Sequence, residues 1–204
     1  MRSLILDPIL EAQFLAERKA TGADRYDEVW DGIYNAVPKV DDEHQALVTG
    51  LSSTLCQSVS WTALGDVRAG TNVTNRTDNW TQNYRCPDVA VFLRNTRAEN
   101  RDTHWLGGPD LAVEVISRHD RSREKLDFYA KVGTRELLIV DRYPWALELY
   151  RLGAGKLELV AVSTPGDPKV LVSQVVPLSW QIVPGKDRPG IAVTHADGKQ
   201  QWTI

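Results

Sequence analysis

Pro109-Asp110-Leu111-Ala112-Val113-Glu114-Val115-Ile116-Ser117 sets one carboxylate inside an apolar run. A short run such as Leu111 to Ile116 predicts a strand covered on both faces. Such a strand carries Glu114 into the interior, where an unpaired carboxylate is strongly disfavoured. Glu114 therefore needs a cation, a metal ion, strong donors or a proton. An arginine in a structural ion pair meets that need as well as a functional site does.

Working outward towards the C-terminus, Leu126, Tyr129, Ala130 and Val132 form a helix that stops at Gly133, and Leu137 to Val140 is the next buried strand. Trp145 to Tyr150 and Leu157 to Val162 continue as a meander turned by Tyr143-Pro144 and Gly153-Ala154-Gly155. Towards the N-terminus, Val89 to Leu93 is a second covered strand, Val67 to Val73 an alternating one, and Asn72 to Arg85 a polar loop. Asp41 caps a helix with a stripe of Leu47, Leu51, Leu55 and Val59, running to about Ser60. Tyr26 to Trp30 and Ile33 to Val37 flank Asp31-Gly32 as a hairpin. Asp7-Pro8 opens a first helix with Ile9, Leu10, Phe14 and Leu15 at helical spacing, ending near Gly22. The pattern predicts an α/β (α+β) fold: a central mixed sheet flanked by helices, an N-terminal helix and hairpin, and a C-terminal meander. Residues 1–183 form one domain in this reading, and 184–204 a loop or weak hairpin.

The 204 residues are 42% hydrophobic and 25% charged, which excludes disordered, collagenous and disulfide-scaffold classes. No run of eighteen apolar residues and no export signal is present, so no membrane partner and a cytoplasmic location are expected. Cys56 and Cys86 read as free thiols. A net charge of -3 gives no bulk attraction to nucleic acid. A local patch exists between Ser117 and Arg135, where six Lys/Arg stand against three acids; a solvated helix face is the ordinary reading of such a run. His44, His104, His119 and His195 do not pair with the cysteines at zinc-ligand spacing.

Asp88, after Pro87, heads the Val89 strand and can aim its carboxylate out of the sheet end. Asp110 shares the strand face of Glu114 and is the rival to Asp88. Glu43 extends the 47, 51, 55 stripe one turn back and is expected to face the sheet, with His44 beside it. Lys125 precedes the Tyr129 and Val132 stripe and should also face the sheet, as a snorkelling lysine or as part of a site. Three acids and a lysine aimed at one sheet suit a divalent cation with oxygen ligands. That is the chemistry of metal-assisted phosphodiester cleavage. The seven tryptophans read as core and interface residues, some of them able to mark a dimer surface.

Pro87-Asp88-Val89-Ala90-Val91, Pro109 to Ser117, Ser122-Arg123-Glu124-Lys125-Leu126 with Tyr129 and Gly133, and Glu136-Leu137-Leu138-Ile139-Val140-Asp141 together resemble the Uma-two restriction-endonuclease family, a branch of the PD-(D/E)xK nuclease superfamily. The resemblance implies a nuclease core and a Mg²⁺- or Mn²⁺-dependent endonuclease acting on DNA. Asp88 matches the motif aspartate, Glu114 the motif glutamate, Glu43 the acid of the preceding helix, and His44 the histidine often beside it. The superfamily lysine would stand at Ile116, and Lys125 from the following helix is the implied substitute. On this reading Asp88, Glu114 and Glu43 hold metal, Lys125 orients water, and Arg118, Arg121 and Arg123 steer phosphate. A homodimer is expected by analogy. The competing expectation is a catalytically inactive nuclease-like module that binds nucleic acid or a partner protein.

Overall fold

A computed structural model describes residues 7–118 and 121–204, so His119 and Asp120, with the first six residues, lie outside the description. Helix α1 (Pro8–Thr21) begins as its sequence dictates: the Asp7 side chain accepts from the Ile9 and Leu10 amides, and Gly22 closes the helix at φ 68°. Strands β1 (Glu28–Trp30) and β2 (Ile33–Asn35) form the hairpin, with positive φ at both Asp31 and Gly32. Helix α2 (Asp42–Leu55) is capped by Asp41 and extended by one wide turn over Cys56–Ser60.

β3 (Gly65–Ala69) and β4 (Val73–Thr74) replace the single expected strand 67–73, because Gly70 turns the chain at φ 58°. The expected loop 72–85 contains β4 and β5 (Tyr84–Arg85). After β6 (Val89–Leu93), two further short strands appear, β7 (Glu99–Asn100) and β8 (Trp105–Leu106). Two-residue strands carry no alternation to read, so only their pairing reveals them. β9 (Leu111–Val115), α3 (Leu126–Val132), β10 (Glu136–Arg142), β11 (Trp145–Gly153) and β12 (Lys156–Ser163) follow in the expected order. β13 (Leu171–Val172), β14 (Leu178–Val183), β15 (Gly190–His195) and β16 (Gln201–Thr203) complete the chain.

The central sheet has the order β12-β11-β10-β9-β6-β3, with β9 and β10 parallel and the other pairs antiparallel. Odd-numbered residues of β6 and β9 (Val89, Val91, Leu111, Val113, Val115) join Leu47, Leu51 and Leu55 of α2 and Trp180, Ile182, Ile191 and Val193 in one core cluster. Even-numbered ones (Ala90, Phe92, Ala112) join Phe128, Tyr129 and Trp105 in a second. The period of two along each strand thus sends Glu114 to the α3 side. The C-terminal sheet β13-β14-β15-β16 contributes Leu178 and Trp180 to the first cluster. Residues 184–204 are therefore more than a loose end: β15 pairs with β14 along six positions from Leu178↔His195 to Val183↔Gly190.

Candidate active site

Position 114 is 3% exposed, so the expected burial is met. Lys125 Nζ lies 3.0 Å from both carboxylate oxygens of Glu114. The Tyr129 hydroxyl donates to Oε1 at 2.5 Å, and Ser122 Oγ donates to Oε2 at 3.3 Å. All three donors come from the turn and helix after β9. Burial pushes the Glu114 pKa up, Lys125 opposes it, and the nearby Asp88 and Glu28 carboxylates reinforce it. Burial likewise raises the Tyr129 phenol, helped by Glu114, so Tyr129 stays a donor.

The register that pairs Val89 with Val113 brings Asp88, one residue before β6, level with Glu114. Asp88 Oδ2 accepts from the Val115 amide at 2.7 Å, and its side chain remains 23% exposed. His44 Nε2 stands 3.4 Å from Asp88 Oδ1, while its Nδ1 is buried with no hydrogen-bond partner among the described residues. Asp110 does different work: its Oδ2 accepts from the Leu93 amide at 2.9 Å, tying β6 to the start of β9.

Glu43 departs from the expectation that it faces the sheet with the other acids. Arg142, whose side chain is 1% exposed, holds Glu43 Oε2 at 2.8 Å and Asp41 Oδ1 at 2.9 Å, and Arg188 Nε lies 3.1 Å from Glu43 Oε1. The reason is helical geometry. Residues four apart drift by about 40° per step, so the buried stripe of α2 passes through His44, Leu47, Leu51, Thr54 and Leu55, leaving Glu43 on its border.

Two of the three arginines are engaged with acids of the chain itself. Arg121 pairs with Glu124 at 2.6 Å, donates to Asn35 and covers the Trp30 ring at 4.1 Å. Arg123 bridges Asp141 at 2.7 Å and Glu148 at 2.6 Å. Arg118 is exposed and lies 5.2 Å from the Tyr143 ring centroid.

Glu28 belongs to this cluster, and sequence reasoning missed it. It is 3% exposed, and its Oε1 lies 2.9 Å from Lys125 Nζ and accepts from the Cys86 amide at 2.9 Å. Trp30 Nε1 donates to Oε2 at 2.7 Å. Arg85, 4% exposed, packs its guanidinium between the Trp30 and Phe128 rings at 4.5 and 4.2 Å. The available signal is slight: Glu28 stands beside Asp27 rather than inside an apolar run, in a strand too short to fix its inward face.

A family model for Uma2, described as "Putative restriction endonuclease", matches residues 13–185. Among solved structures, the chain is similar to a protein from Anabaena variabilis ATCC 29413 described as a putative nuclease belonging to DUF820. The two are 18% identical, with a TM-score of 0.58 over 72% of this chain and 80% of that one. At this identity the likeness concerns the fold. No curated protein matches.

Proposed function

The chain belongs to the Uma2 putative restriction endonuclease family, and on that premise we propose that it hydrolyses phosphodiester bonds in DNA with a divalent metal ion, Mg²⁺ or Mn²⁺. The observation that carries the reading is the meeting of Asp88, Glu114 and Lys125, which come from two strands and the turn before α3, at one end of the central sheet. Their chemistry fits a hard cation. Two carboxylates stand level on adjacent strands, and repulsion among Asp88, Glu28 and Glu114 favours a positive charge among them. Among the described residues no three His, Cys, Asp or Glu side chains form a metal cage. Mg²⁺ commonly takes only one or two protein carboxylates and keeps several waters.

Asp88 and Glu114 would hold the ion, which when bound would supply a water of lowered pKa and offset charge on the phosphate. The chain's residues do the rest. Tyr129 and Ser122 orient Glu114, the Val115 amide and His44 orient Asp88, and Lys125 orients the attacking water. Glu43, in the first turn of α2, is clasped by Arg142 and Arg188, and this reading leaves it out of the ligand set. Of the three arginines expected to steer phosphate, Arg118 keeps that role best, since Arg121 and Arg123 are engaged with acids.

The test is plasmid cleavage with and without Mg²⁺ beside a Glu114→Ala variant. Metal-dependent nicking by the wild type and none by the variant is expected; equal nicking by both sinks the reading. The internal pairing of Arg121 and Arg123 is what favours the second reading, a non-catalytic module. A calorimetric titration that finds no Mn²⁺ affinity decides for it.

A further inference from the structure

Lys125 carries one ammonium among three carboxylate oxygens: Glu28 Oε1 at 2.9 Å and both oxygens of Glu114 at 3.0 Å. Of the two acids it meets among the described residues, Glu114 stands level with Asp88 on the neighbouring strand, the pair proposed to take the ion. Both Glu28 oxygens are already occupied, by the Cys86 amide and Lys125 on one side and by the Trp30 indole on the other. The amide belongs to the segment leading into Pro87-Asp88 and the indole to β1, so the Glu28 carboxylate is held independently of Glu114.

We propose that Glu28 is a positioning residue of the site, the permanent counter-anion that holds the Lys125 ammonium in place when Glu114 turns to a metal ion. The inference rests on the metal-dependent reading given above. The physical need is plain. Lys125 is 8% exposed, and a buried ammonium that loses a carboxylate to another cation is destabilised unless a second anion stays beside it. Without the pull of Glu28, Lys125 would also close on Glu114 across both oxygens and compete directly with the metal. Glu28 removes both difficulties, because it draws the ammonium to its own side and keeps it neutralised once Glu114 is shared.

The experiment is a double-mutant cycle on Mn²⁺ affinity, measured by titration calorimetry on wild type, Glu28→Gln, Lys125→Met and the double variant. Glutamine keeps the shape of Glu28 and an oxygen for the Cys86 amide, and loses the charge. Acting through Lys125, Glu28→Gln weakens Mn²⁺ binding about tenfold in the wild-type background and less than twofold where Lys125 is methionine. An equal loss in both backgrounds overturns the proposal, since Glu28 then acts on the metal by charge alone, and so does no loss in either. Should Glu28→Gln fail to fold, adding Lys125→Met must restore folding by removing the stranded ammonium; failure to restore it also overturns the proposal. A wild-type chain that binds no Mn²⁺ brings down the metal-dependent reading and this proposal together. An additive cycle brings down the role of Glu28 alone.

Discussion

Glu114 is enclosed by donors yet crowded by acids, and the balance makes stability depend on pH. Its pKa is raised by burial first, so the folded chain binds this proton more tightly than the unfolded chain. The stability linked to it is complete below the ordinary carboxylate range and is lost as pH rises through the raised pKa. In chelator-treated protein the urea midpoint should therefore fall across that window, and Glu114→Gln should flatten this part of the profile. Cys86 offers a second check at the same scale. Burial first, and then the Glu28 charge, push its thiol up, leaving little thiolate near neutrality. A thiol reagent should label half-buried Cys56 in the folded protein and reach Cys86 only on unfolding. Glu114 and Lys125 were legible in the sequence because each breaks a strong local pattern. Tyr129 was legible only as a core aromatic, since its hydroxyl's partner lies fifteen residues away on β9.

Among the elements, α1 is the clearest case of local and long-range forces acting separately. Its caps specify where it begins and ends, yet none of its residues is buried, and an isolated helix of this length is marginal in water. What fastens it is Arg18. The guanidinium donates twice to Asp27 at 2.5 Å, and to the carbonyls of Ala23 at 2.7 Å and Val37 at 3.0 Å. Asp27, 1% exposed, also accepts from Tyr34 and from the Val37 amide, which joins the helix to the β1-β2 hairpin. Arg18→Ala leaves a buried carboxylate without its cation, at a cost on the order of 3 kcal/mol. Trypsin should then cut early at Lys19 and Arg25, while the central sheet keeps its protection in hydrogen exchange. Helix α2 teaches the complementary lesson: the four-residue stripe was visible, but which neighbour of it, Glu43 or His44, turns inward depended on a drift of a few tens of degrees and on the buried Arg142.

At the scale of the whole molecule, the central sheet is covered on one face by α2 and the C-terminal strands and on the other by α3 and neighbours such as Trp105. Among the described residues no helix is long and apolar enough to cross a membrane. Glu136, 1% exposed, fastens the C-terminal strands to the central sheet, accepting from Arg151 at 2.9 Å, Ser173 at 2.5 Å and the Gln174 amide at 3.0 Å. Trp180 is fully buried, and Trp180→Ala should cost about 3–5 kcal/mol in a single transition seen identically by fluorescence and far-UV dichroism. Removing residues 184–204 takes away β15 and β16, and with them Ile191 and Val193 of the core. The shortened chain should show no cooperative transition at all. The sequence by itself determined the helices with their caps, the covered strands and the presence of buried charge, because propensity and periodicity act over a few residues. Only the tertiary structure decided that Glu28 shares Lys125 with Glu114, that Arg142 claims Glu43, and that the last strands close the core. Those outcomes depend on sheet register and on which distant charges come within a few ångströms, and no local stretch of chain carries that information.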